Sequence, residues 1–141
     1  NILGKNLKQV LNILKSDQYD IGTLVAKINS DDDLNNSNIV KALCNFNEEE
    51  IVTKAIDFTR TYDHSINEKL FHHIGIYSYR RSSLERFINL PQSSRETLFK
   101  LEQLRALDNN MNIGAALIDN LPIGVDTHED LELVRNTMRL K

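Results

Sequence analysis

Apolar residues recur at the helical interval along the first segment, Lys5 to Lys15. Leu7, Val10, Leu11 and Leu14 fall at i, i+3, i+4 and i+7 and define one stripe. Ile21 to Ile28 is apolar and largely β-branched apart from Lys27, which reads as a buried strand. The Asn- and Asp-rich run Asn29 to Asn36 reads as a polar loop behind it. Ile39 to Cys44 and Thr53 to Phe58 read as a second and a third strand, with Thr59 to Lys69 a loop. A further strand spans His73 to Tyr79, and a helix Ser82 to Ile88, punctuated by Pro91.

Ser93-Ser94-Arg95-Glu96 matches a capping box, in which a serine hydroxyl and a glutamate three residues on each satisfy a free amide. Leu98, Leu101, Leu104 and Leu107 carry the helix behind it. Asn112 to Ile118 is a short strand and Asp119 to Gly124 a turn. The last helix starts at Thr127, with Asp130 as a second capping signal, and buries Leu131, Val134 and Met138. Strands and helices alternate throughout, so the class is α/β. No internal repeat, low-complexity tract or linker divides the chain, and no glycine-rich phosphate loop precedes the first helix.

The 141 residues suffice for one domain with a core. Forty per cent hydrophobic and 26% charged residues is a globular composition, and no apolar run reaches membrane-spanning length. A net charge of −3 with scattered Lys and Arg excludes an extended nucleic-acid surface. The chain opens at Asn1 without an initiator Met, which suits a processed chain or a fragment. The single Cys44 sits in an apolar stretch and reads as a buried structural thiol, which fits a reducing cytoplasm.

On the fourth strand, alternation puts His73, Gly75, Tyr77 and Tyr79 on one face and Ile74, Ile76 and Ser78 on the other. The second set looks like core. The first is either a solvated face or the floor of a polar ligand site, with Gly75 leaving space between the rings. Glu102 and Gln103 lie outside the leucine stripe of their helix. A carboxylate beside an amide suits a polyhydroxylated ligand, and equally any exposed helix. Asp126, fixed just before the helix start at Thr127, can coordinate a hard cation or simply oppose the positive helix end. His64, His72 and His128 form no metal-ligand spacing, and no nucleophile elbow is present.

Several of these segments occur together in a familiar order. His73-Ile74-Gly75-Ile76-Tyr77 resembles the His-Ile-Gly-Ile-Tyr strand of CMP-Kdo synthetases, the 3-deoxy-manno-octulosonate cytidylyltransferases. Leu101-Glu102-Gln103-Leu104-Arg105-Ala106-Leu107 is similar to that family's Leu-Glu-Gln-Leu-Arg-x-Leu helix. Gly124-Val125-Asp126-Thr127-His128-Glu129-Asp130-Leu131 resembles its Gly-Val-Asp-Thr-x-Glu-Asp-Leu ending. Asn35-Asn36-Ser37-Asn38-Ile39-Val40-Lys41 is similar to an Asn-x-x-Asn-Val-Val-Lys stretch.

The resemblance implies a mixed sheet with flanking helices, the C-terminal part of a nucleotide-diphospho-sugar transferase-like, Rossmann-like domain. It implies transfer of CMP from CTP to Kdo with release of pyrophosphate, for lipopolysaccharide synthesis, in a cytoplasmic homodimer with magnesium as cofactor. By the same resemblance Asp126 is the catalytic, metal-binding carboxylate, while His73, Tyr77, Glu102 and Gln103 contact the sugar acid. Arg60 resembles the arginine of a Ser-Arg-Ala-Pro-Ile-Pro segment and would pair with the sugar's carboxylate, although here Thr61 and Tyr62 follow it and both prolines are gone.

The family's glycine- and arginine-containing nucleotide loop and its Asn-x-Gln-Gly-Asp-Glu-Pro segment do not occur in residues 1–141. The expectation is therefore the sugar-acid side of a single cytidylyltransferase domain, without its CTP side and inactive alone. A non-catalytic binding domain that kept the fold, or a cytidylyltransferase for another sugar acid such as sialic acid, are the alternatives.

Overall fold

The computed structural model describes residues 4–61 and 69–119 and, beyond them, residues 121, 128, 131, 132, 135 and 136. Within residues 4–61 and 69–119 the elements follow in order: α1 (Gly4–Ile13), β1 (Ile21–Lys27), α2 (Asp31–Asn35), β2 (Lys41–Cys44), β3 (Val52–Thr59), β4 (Leu70–Tyr79), α3 (Arg81–Ile88), α4 (Ser94–Phe99), α5 (Gln103–Asp108) and β5 (Ile113–Ile118). All five expected strands are present. The sheet is mixed and runs β1-β4-β2-β3-β5, with β5 returning to pair with β1, so the pairings close into a ring. Among the described residues only the β1–β5 pairing is parallel. β3 serves two partners in succession: Val52, Thr53 and Lys54 pair with β5, whereas the segment from Ala55 to Thr59 pairs with β2.

One core cluster gathers Ile21, Val25, Phe58, Phe87, Leu101, Leu104, Met111 and Ile113, and so lies between the sheet and α3–α5. A second joins Leu24, Ala26, Ala116 and Ile118 to Val10 and Ile13 of α1. Alternate residues of β1 thus feed opposite faces, as the pleat requires. Helix α1 presents Val10 and Ile13 to the sheet, while Leu7 and Leu11 stay exposed at 45% and 62%. The stripe expected from Leu7, Val10, Leu11 and Leu14 is therefore rotated by about a quarter of a turn.

The sheet dictates that rotation. Gly22 and Gly114 leave a smooth floor on which α1 rests. A Cβ at Gly22 would stand 2.5 Å from the Ser78 hydroxyl and 2.8 Å from the Val10 carbonyl, and one at Gly114 would stand 2.5 Å from an Ile13 methyl. Ser78 then donates to the Val10 carbonyl at 2.7 Å, bolting helix to strand. Gly22→Ala should cost about 1–3 kcal/mol through overpacking, read as a lower denaturant midpoint with an unchanged slope. An unchanged midpoint would show that α1 is not seated there.

Two further expectations are corrected. Residues 31–35, read as loop, form a helical turn: the Ser30 hydroxyl accepts from the Asp33 amide at 3.1 Å, and Asp31, Asp32 and Asp33 complement the positive helix end. The helix expected behind Ser93 is two. The capping box forms as anticipated, but Lys100 adopts left-handed backbone (φ 54°, ψ 47°) and ends α4. Leu98, counted in the stripe, is consequently 73% exposed, while Leu101 and Leu104 are buried. His128, Leu131, Glu132, Arg135 and Asn136 are helical. The other residues of the expected final helix, including Thr127 and Asp130, lie outside the described residues, as does His64. Among the described residues no helix is long and apolar enough to cross a membrane.

Candidate functional site

Strand β4 carries two more residues than β1 between Ile74 and Tyr77: Thr23 lies opposite Tyr77, and the next residue, Leu24, opposite Ile74. Such a bulge keeps the parity of the pleat while shortening the separation of the side chains around it. His73, Tyr77 and Tyr79 therefore share a face, as expected. Gly75 does not sit between them. It is exposed in the bulge, where a Cβ would meet nothing within 4 Å, so the room it was expected to make is not what it provides.

The rings form a continuous row. Phe58 and His73 have centroids 5.0 Å apart in an edge arrangement, His73 and Tyr77 are 5.6 Å apart, Tyr77 and Tyr79 6.2 Å, and Tyr79 and Phe87 6.0 Å. The Arg105 guanidinium caps the row, 4.9 Å above the Phe87 centroid. Side chains from β3, β4, α3 and α5 thus line up along one surface.

His73 is buried, and burial pushes its imidazole down to about 4, with the neighbouring His72 adding to the effect. Its Nε2 lies 3.0 Å from the Thr23 hydroxyl. That hydroxyl has one proton and donates it to the Ile76 carbonyl at 2.8 Å. His73 must then donate through Nε2, which leaves the lone pair on Nδ1. Tyr77 is raised well above an ordinary phenol, first by burial and then by the nearby Tyr79 and Glu102. Tyr79 is raised by burial and by Glu102, with Arg105 opposing. The row therefore offers neutral hydrogen-bonding groups at neutral pH.

Glu102 precedes α5 and its side chain is 72% exposed. Gln103, expected on the outer side of the helix, is instead buried. The break at Lys100 turns α5 so that Gln103 joins the interior. Arg105 makes a bidentate pair with Glu96, Nε to Oε2 at 2.8 Å and Nη2 to Oε1 at 2.5 Å, and Nη2 also lies 3.7 Å from Glu102. The guanidinium holds the Glu96 carboxyl below the ordinary carboxylate value.

Arg60 lies just past β3. Its Nε donates to the Phe99 carbonyl at 3.2 Å, and its Nη1 to those of Ser37 and Asn38 at 3.3 and 3.4 Å. The structure thus brings His73, Tyr77 and Glu102 into one neighbourhood, with Gln103 buried at the start of α5, while Arg60 ties together the α2–β2 loop and α4. Asp126 lies outside the described residues. Among the described residues no group of three or more His, Cys, Asp or Glu side chains could hold a metal ion. Cys44 is buried, and burial pushes its thiol up to about 12, as a structural thiol requires.

Sequence reasoning missed Thr23, Lys41 and the Glu96–Arg105 pair. Thr23 carries no local signal, since its partner is fifty positions away. Lys41 did leave a trace, as a charge inside an apolar strand.

The model of the Cytidylyltransferase family matches residues 5–113. The 3-deoxy-manno-octulosonate cytidylyltransferase of Bartonella bacilliformis is 46% identical over 132 residues, covering 94% of this chain and 54% of that protein. The protein of that name from Paramagnetospirillum magneticum is 45% identical over 120 residues, 85% of this chain and 49% of its own length. The solved structure of CMP:2-keto-3-deoxy-manno-octonic acid synthetase complexed with CTP superposes with a TM-score of 0.84 at 29% identity, over 99% of this chain and 57% of that one. The chain spans about half the length of the curated relatives it matches. A match across most of the sequence and a shared mixed sheet with flanking helices lead to one conclusion: this chain belongs to the cytidylyltransferase family.

Proposed function

We propose that this chain carries the sugar-acid side of a cytidylyltransferase domain that joins Kdo to CMP from CTP and releases pyrophosphate. The observation that carries this reading is the row of neutral rings from His73 to Tyr79 with the Glu102 carboxylate beside it. The names of the matched relatives and the CTP bound in the structural neighbour support the substrates.

A polyhydroxylated acid needs donors, acceptors and one cation. His73 accepts a hydroxyl proton through Nδ1, while Tyr77, which keeps its proton, donates. Glu102 accepts from two hydroxyls, and Gln103 supports from below. Arg60 pairs with the sugar's carboxylate, exchanging carbonyl partners for a stronger charged one. Held this way, the anomeric hydroxyl is oriented for in-line displacement. Asp126 would hold a magnesium ion, which when bound offsets charge on the triphosphate. The complete enzyme acts in the cytoplasm as a homodimer, on small molecules rather than on nucleic acid or membrane.

Titration calorimetry of this chain tests the sugar assignment: Kdo should bind more tightly than sialic acid. Equal binding of both sinks the preference, and no binding of Kdo sinks the site. The 141-residue chain should release no pyrophosphate from CTP, Kdo and magnesium, and turnover at an ordinary enzymatic rate would overturn the division into two sides. Asp126→Asn in the complete enzyme should abolish turnover, whereas a binding module would keep its partner.

A further inference from the structure

Strand β2 lies between the two strands that deliver the proposed sugar-acid residues. Lys41, its first residue, is in register with Thr59 of β3 and with His72 of β4, the residues immediately before Arg60 and His73. The residue before Lys41 completes the join: the His73 amide donates to the Val40 carbonyl at 2.9 Å.

Lys41 is also among the largest fully buried side chains, at 0% exposure. Lysines are almost never fully buried unless paired with an acid. Here the ammonium donates to two backbone carbonyls, Asn36 at 2.6 Å and Arg60 at 3.1 Å, and no carboxylate of the described residues lies within ion-pairing distance. Burial lowers its affinity for a proton, and the nearby Arg60 charge lowers it further, with Asp33 opposing. Two cations therefore stand together, and each is used to hold carbonyl groups of the same loop. Arg60 holds those of Ser37 and Asn38, and Lys41 that of Asn36 together with that of Arg60 itself. A fold determinant alone would be served as well by an apolar side chain, which would avoid the cost of burying an ammonium.

We infer that Lys41 is a positioning residue: its ammonium, clamped between the Asn36 and Arg60 carbonyls, fixes Arg60 at the correct distance from His73 to receive the sugar's carboxylate. The inference rests on the sugar-acid site proposed above. Lys41 never touches the ligand. It sets the backbone from which Arg60 reaches, and its buried charge beside that of Arg60 makes the vicinity favourable for an anion.

The test is Kdo binding by this chain in a double-mutant cycle, with folding checked by circular dichroism. Lys41→Met should weaken Kdo about tenfold, the factor expected for losing one charge-assisted hydrogen bond. In the Arg60→Ala background it should have little further effect, because the two act as one unit. The methyl ester of Kdo, which lacks the charge, should bind wild type and Lys41→Met alike. An equal loss in both backgrounds, or an equal loss of Kdo and its ester, would overturn the inference and leave the sugar-acid site standing. Failure of the wild type to bind Kdo removes the site and the inference together. Should Lys41→Met not fold, Lys41→Gln, which removes the charge and shortens the side chain by one bond while keeping it polar, carries the same comparison. Failure of both variants to fold makes Lys41 a fold determinant and ends the proposal.

Discussion

Arg105→Met lowers the unfolding free energy by about 3–5 kcal/mol, because it strands a buried carboxylate without its counter-charge. Glu96 is only 7% exposed as a side chain and Arg105 13%. Once the guanidinium is gone, Glu96 keeps the Ser93 amide at 3.2 Å and a long contact to Gln92 at 3.5 Å. The stacking on Phe87 is lost as well. Urea unfolding should show a lower midpoint with the same slope, and the melting temperature should fall by roughly 10–20 °C. Glu96→Gln combined with Arg105→Met should be milder than the sum of the single changes, since neither partner is then left charged. A loss under about 1 kcal/mol for Arg105→Met would mean that the pair behaves as an exposed one.

Acid should unfold the protein partly through His73. Its imidazole is held near 4 in the fold, against 6.5 when free. A lowered value means that the unfolded chain binds the proton more readily, so stability is complete above about pH 6.5 and falls as the pH drops toward 4. The full loss across that window is about 3 kcal/mol, levelling off once both states are protonated. His72 is also lowered by burial and contributes in the same direction. Comparison with His73→Gln isolates the effect: the variant's unfolding free energy should decline less between pH 6.5 and 4. Parallel declines for the two proteins would refute the account, as would an NMR titration of the His73 ring near its ordinary value.

The strands were legible because each carries its own signal. The Ile21–Lys27 and Ile113–Ile118 runs are apolar and short, and nothing in the tertiary structure needed to contradict them. Helix α1 was legible as a helix but not in its orientation. Leu7, Val10, Leu11 and Ile13 support two overlapping stripes, and the choice falls to Gly22 and Gly114, which form a floor only when β1 and β5 lie side by side. The break at Lys100 was hidden because a lysine there occupies backbone usually reserved for glycine or asparagine. Within the candidate site, the strand motif pointed to His73 and Tyr77, and their shared face follows from alternation. The Thr23 hydroxyl, the Lys41 clamp and the Glu96–Arg105 pair depend on contacts between distant segments, which local patterns do not encode. Gln103 was misplaced for the same reason as Leu98: the unbroken helix assumed for both does not exist.

The ring of strands also governs when this chain can become safe from its neighbours during synthesis. Strands β1 to β4 precede β5 from the ribosome, and although β1 pairs with β4 and β3 with β2, each lacks its second partner until Ile113–Ile118 emerges to pair with both. A nascent chain halted before that point presents two open edges, the kind that recruit other unfinished chains. Strand β5 acts as a clasp: its emergence closes both edges at once.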